Sequence, residues 1–262
     1  MRTIAIINLK GGVGKTTTAI NMASVLARSE KTVLVIDADP QANATGFFGL
    51  NGSDCTTLTD ILEARCNDPY QALYQTPITN VSVLPASIDL IGADIASIKH
   101  GTNVKFIADL LDTLLEDAIA AAEPDPFDFV LIDCPPSFTA ASVAAIYAAD
   151  DVIIPVEMDA FGLAGMSQLI KQIESVRFIK PRIRIAGALI TKWHNTPAVI
   201  QGEDALRKSA VPVFRTVIRR SDKVTESGFK GLSLDAYSVR SSAGQDYRRF
   251  VAEYLEGVPS HG

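Results

Sequence analysis

The sequence predicts an α/β fold: a doubly wound, mostly parallel sheet with helices on both faces. Short apolar runs alternate with longer segments of helical periodicity, which implies right-handed β-α-β crossovers. The runs are continuous Val/Ile/Leu stretches, as strands covered on both faces require. Three of them end in glycine-rich or acidic segments, at the strand ends where such sheets place ligands.

Taken in order, residues 3–8 (TIAIIN) read as a strand and 15–28 as a helix with Ala19, Met22, Ala23 and Leu26 on one face. Residues 32–37 and 81–85 are further strands, and 50–68 is an irregular stretch of loops and short helices. A long amphipathic helix covers 104–122 and stops at Pro124 and Pro126. Strands follow at 129–133 and 151–156, a helix at 161–176, strands at 183–191 and 213–218, and a terminal helix at 246–255. No internal repeat or linker interrupts the 262 residues, so residues 1–262 are expected to form one domain.

Composition narrows the function classes. The three cysteines, Cys55, Cys66 and Cys134, form no C-x-x-C pair, which argues against a zinc site or disulfide framework and for a reducing cytosol. His100, His194 and His261 lack ligand spacing. No signal peptide and no apolar span of membrane length is visible. The net charge of -6 is uneven. Residues 1–170 carry 8 Lys/Arg against 21 Asp/Glu, and residues 171–262 carry 16 against 9. The basic C-terminal third is a candidate polyanion-binding face or simply a solvated surface.

The strand at 3–8 runs into Lys10-Gly11-Gly12-Val13-Gly14-Lys15-Thr16-Thr17, which opens the next helix. This setting suits a phosphate: helix N-termini leave unpaired N–H groups, and glycines let the backbone wrap an anion. Lys15 is placed to reach phosphates, and the Thr16 hydroxyl to ligand magnesium. The usual first glycine of such a loop is Leu9 here, and a second lysine, Lys10, opens it instead. Asp37 and Asp39 end the second strand, where one carboxylate is suited to orient a water. Asp133 ends the strand at 129–133 as a Walker-B-like magnesium arm, with contact through water the expected mode, and Pro135-Pro136 breaks the strand after it.

These residues resemble the ParA/Soj branch of the P-loop ATPases with a deviant Walker A motif. The resemblance rests on KGGVGKTTTAIN, VLVIDADPQANAT, FVLIDCPPS and DVIIPVEMDAFGLAG in the family's order and spacing, with a looser match in VPVFRTVIRRSDKVTES, near whose end Glu226 stands. It implies a cytoplasmic, nucleoid-associated ATPase that uses ATP and Mg2+. By position, Lys10 looks like the lysine that reaches across an ATP-bound homodimer. Residues Gly11, Gly12, Val13, Gly14, Lys15, Thr16 and Thr17 look like the phosphate cradle, with Thr16 and Asp133 serving the metal. Asp39 looks like the residue that positions the attacking water. The resemblance further implies non-specific DNA binding by the dimer and hydrolysis triggered by a ParB-like centromere-binding protein. Arg219 and Arg220 lead the candidates for DNA contact; the alternative is pairing with Asp222 or Glu226. Thr191-Lys192 and residues 212–214 are candidates to border the base. No N-terminal helix-turn-helix segment is expected. A MinD-like or cargo-positioning ATPase is the alternative function, but it calls for a basic amphipathic tail. The apolar set Tyr247, Phe250, Val251, Tyr254 and Leu255 in the terminal helix is expected to pack on the sheet instead.

Overall fold

The computed structural model describes residues 1–66, 68–100, 104–159 and 162–258. Phe161, at the expected start of a helix, and His261 lie outside them. In chain order the elements are β1 (Arg2–Ile6), α1 (Lys15–Arg28), β2 (Val33–Asp37), α2 (Asn43–Phe47), α3 (Leu58–Leu62), β3 (Tyr74–Gln75), β4 (Val81–Leu84), α4 (Leu90–His100), α5 (Phe106–Ala120), β5 (Phe129–Asp133), α6 (Ala140–Ala148), β6 (Asp151–Glu157), α7 (Gly162–Arg177), β7 (Arg184–Thr191), α8 (Pro197–Arg207), α9 (Asp222–Phe229), α10 (Leu234–Tyr237) and α11 (Ser242–Glu256).

The strands form one sheet in the order β3-β4-β2-β5-β1-β6-β7. All neighbours are parallel except the short edge strand β3. The strand residues divide between two cores, as a sheet covered on both faces demands. Ala5, Leu34, Ile36, Val130, Ile132 and Val152 face one core, shared with α4 to α8. Ile4, Ile6, Val33, Val35, Leu131 and Ile153 face the other, shared with α1 and α11. Tyr247, Phe250, Val251 and Tyr254 of α11 are buried there as expected, whereas Leu255 of the same set points to solvent.

The strand expected over residues 213–218 does not form as such. The segment runs beside β7, with the Phe214 amide donating to Ala188 O at 3.0 Å and Ile218 to Ile190 O at 2.8 Å. Only isolated bridges result, at Val213 and Arg219. Between them the amides of Arg215 and Thr216 turn to the Glu253 carboxylate on α11, at 2.6 and 2.9 Å, so the ladder is interrupted. The register places the ends of β1, β2 and β5 side by side, with both Ile6 and Asp37 opposite Asp133.

Candidate functional site

The loop between β1 and α1 is held from two sides. The Asn8 side chain donates to Pro155 O at 2.7 Å and accepts from the Lys10 amide at 3.0 Å. On the other side, the Thr191 hydroxyl donates to Val13 O at 2.8 Å. Gly12 and Gly14 have φ of 73° and 88°, the left-handed region that favours glycine. Gly14 is the N-cap of α1 and has no side chain to cap it. The first bond of that helix runs from the Thr18 amide to Gly14 O, so the amides of Lys15, Thr16 and Thr17 precede the intrahelical ladder. They form an electropositive cradle without any protein carboxylate in the first turn. Lys15 is buried and its Nζ donates to Lys10 O at 3.2 Å. Burial lowers its pKa, and the carboxylates of Asp133 and Asp39 oppose that shift.

Three carboxylates at neighbouring strand ends have three environments. Asp37 is fully buried and accepts from the Thr45 amide and hydroxyl, both at 2.8 Å, and from the Asp39 amide at 3.1 Å. Burial raises its pKa to about 6 against those hydrogen bonds. Asp37 therefore shapes the turn that carries Asp39. Asp39 accepts only a local bond from the Gln41 amide, at 2.9 Å, and lines the cavity over the loop. Asp133 is fully buried, and among the described residues neither of its oxygens has a hydrogen-bond partner of ordinary geometry. Burial and then Asp37 push its pKa well up, while the nearby Thr16 hydroxyl and Lys15 pull it down. An orphaned buried carboxylate beside a threonine hydroxyl is a set of hard oxygen donors, which suits a small divalent cation.

A cavity of about 680 Å³ lies over the loop, within the size range of small-molecule sites. Gly11, Gly12, Gly14, Lys15, Thr16, Thr17 and Asp39 line it, with Pro136 and Lys192. A second space of about 330 Å³ continues past Gly14 and Thr17 to Thr191, Lys192, His194 and residues 218–222. Residues 212–214 line neither space. Asn43 and Phe47 of α2 and Val224, Ser227 and Gly228 of α9 also line the larger cavity. Asn43, Val224 and Ser227 fall within the quoted segments VLVIDADPQANAT and VPVFRTVIRRSDKVTES, but the sequence reading gives them no role, and Phe47 and Gly228 lie outside those segments.

Arg219 and Arg220 part company. Arg219 makes a forked pair with the buried Asp246 of α11: Nε to Oδ2 and Nη2 to Oδ1, both 2.8 Å, and its amide adds a bond of 3.0 Å. Neither Asp222 nor Glu226 is that partner; Glu226 accepts from Lys223 at 2.6 Å and Tyr237 at 2.7 Å. Arg220 is exposed.

The chain is similar over most of its length to known proteins. A family model described as an AAA domain matches residues 1–185. The chromosome partitioning protein ParA of Caulobacter vibrioides is 36% identical over 97% of this chain and 94% of its own length. This chain belongs to the ParA/Soj family. The Bacillus subtilis sporulation initiation inhibitor protein Soj is 32% identical to this ParA/Soj chain, over 95% of it and 96% of that protein. Among solved structures, cobyrinic acid a,c-diamide synthase from Mycobacterium smegmatis, with an ATP analog and magnesium bound, superposes with a TM-score of 0.82. It is 28% identical, with 98% of this chain and 95% of that one covered.

Proposed function

We propose that this chain is a ParA-type DNA-segregation ATPase: one P-loop domain that dimerises on ATP, binds DNA non-specifically while dimeric, and resets by hydrolysis. The observation that carries the nucleotide reading is the buried Asp133 carboxylate, unpartnered beside Thr16 at the mouth of an uncapped, glycine-cornered helix. Thr16 and Asp133 would hold Mg2+, Asp133 through a water. The bound ion supplies charge neutralisation at the transferring phosphoryl group. The amides of residues 11–17 and the Lys15 ammonium bind phosphate oxygens. Asp39 orients water from the cavity wall. Lys10 provides a second cation across the dimer, in the role an arginine finger has in other NTPases. The smaller space between Lys192 and residues 218–222 suits the nucleoside end of the ligand. Intrinsic turnover is weak, and a ParB-like DNA-binding partner raises it. The place of action is the nucleoid. A MinD-like lipid target gains no support from α11, whose Tyr247, Phe250, Val251 and Tyr254 are buried, with Leu255 the exposed member of the set.

The test is binding to non-specific duplex DNA with ATP, with ADP and without nucleotide, across a salt series. The expected result is binding that appears with ATP alone and falls as salt rises. Arg220→Glu is expected to weaken binding and flatten the salt slope by about one phosphate contact. Arg219→Glu is the poorer probe, since it sets a carboxylate against buried Asp246. Binding that ignores the nucleotide would remove the switch.

A further inference from the structure

The lysine that opens the phosphate loop is held within its own chain. Lys10 Nζ makes an ion pair with the carboxylate of Asp159, just beyond β6. The two side chains are 30% and 40% exposed, so the pair sits at the rim of the site. Lys10 is not among the residues that line the cavity, whereas Lys15 and Lys192 are. The backbone beneath it is fixed, because the Lys10 amide and carbonyl are bonded to Asn8 and Lys15. The side chain is therefore the part left to swing. Two residues before Asp159, Glu157 pairs in the same manner with Lys192 at 3.1 Å. The end of β6 thus presents carboxylates to two lysines around the loop.

A cation that serves a phosphate bound by another chain must first leave the group that holds it. We propose that Asp159 is the positioning residue for Lys10: it parks the ammonium at the rim in the unpaired chain and yields it when a second copy docks. The strength of this pair then sets how readily the dimer forms. The proposal rests on the reading of Lys10 as the lysine that crosses the dimer. An exposed ion pair changes an equilibrium by roughly 1.4- to 5-fold. Two such pairs break in each dimer, so their loss tightens dimerisation by roughly 2- to 25-fold.

Asp159→Asn keeps the size and removes the charge. Two measurements separate this proposal from the dimer reading beneath it. The first uses the nucleotide-free chain: acetylation of Lys10 by an N-hydroxysuccinimide ester, followed by mass spectrometry with exposed Lys230 as internal reference. Asp159→Asn is expected to speed modification of Lys10 alone, and Asp159→Glu to restore the slow rate. The second is the monomer–dimer constant by sedimentation with a non-hydrolysable imido analogue of ATP and Mg2+. Asp159→Asn is expected to tighten it within the range above, with Asp159→Glu near wild type. An unchanged acetylation rate would overturn the proposal at its first step. Faster acetylation with an unchanged or weaker dimer would overturn the link to docking. No dimer in any variant, wild type included, would overturn the dimer reading and the proposal with it.

Discussion

Asp37 and Asp39 are chemically alike and two residues apart, yet their surroundings divide their work. Asp37 has its oxygens taken by Thr45 and the Asp39 amide, and it is sealed from the cavity. Asp39 keeps an oxygen for the cavity after bonding Gln41. Substitution at Asp39 therefore costs the turn one local bond, whereas substitution at Asp37 removes three. Asp39→Ala is expected to bind ATP with near-normal affinity and to hydrolyse it about 100-fold or more slowly, in line with the loss of a positioned base. Equilibrium nucleotide binding and single-turnover hydrolysis check the two halves separately. Wild-type turnover would take Asp39 out of that role.

The phosphate loop is a short element whose shape depends on backbone handedness. Gly12 lies at φ 73° in open space, where an added β-carbon would meet nothing within 4 Å. A side chain there is disfavoured by conformation and not by collision. Gly12→Ala is expected to cost about 1–2 kcal/mol of stability, the penalty of a left-handed alanine. Gly11 has an ordinary φ, and its added β-carbon would stand 4.0 Å from Pro136, so Gly11→Ala is expected to be milder. Chemical denaturation of the two variants tests the order. The segment at 213–218 teaches the converse lesson at this scale. Its apolar composition reads as a strand, but two of its amides are claimed by Glu253, about forty residues away in sequence.

Across the whole molecule, the starts of β1, β6 and β7, at the end of the sheet opposite the phosphate loop, are tied together by one buried carboxylate. Asp151 of β6 is fully buried and accepts from Arg2 of β1 at 2.7 Å, Arg184 of β7 at 2.6 Å and the Tyr254 hydroxyl of α11 at 2.6 Å. Burial alone would raise its pKa, but Arg184, Arg2 and Tyr254 together hold it below the ordinary 3.8. A carboxylate depressed in the folded state contributes stability above its unfolded pKa and loses it as pH falls through the folded value. Asp151→Asn is expected to cost about 3 kcal/mol at neutral pH, near the low end for breaking a buried pair because Arg184 is partly exposed. The gap between wild type and variant is expected to narrow below the usual carboxylate range. Urea unfolding at pH 7 and near pH 3 measures it, and a gap independent of pH would mean that the charge of Asp151 is not its contribution.

The six longer strands, the helices at 15–28, 104–122, 161–176 and 246–255, the phosphate loop and the aspartates at the strand ends were legible in the sequence, because each depends on contacts within a few residues, whereas α4, α6 and α8 were not read from it. Continuous apolar runs imply a covered sheet, and glycines between a strand and a helix imply a turn that leaves amides free. Short helices such as α2 and α9 overlap quoted segments, but nothing in their spacing shows that they wall the cavity. Only the tertiary structure decided that Arg219 belongs to Asp246, that Lys10 rests on Asp159, that Asp37 is spent on the turn while Asp133 stands beside Thr16, and that residues 213–218 make isolated bridges to the sheet in place of a strand. Each of those outcomes is settled by which group competes best for a donor or acceptor. In most of them the competitor comes from a distant part of the chain, and one-dimensional spacing does not record that distance.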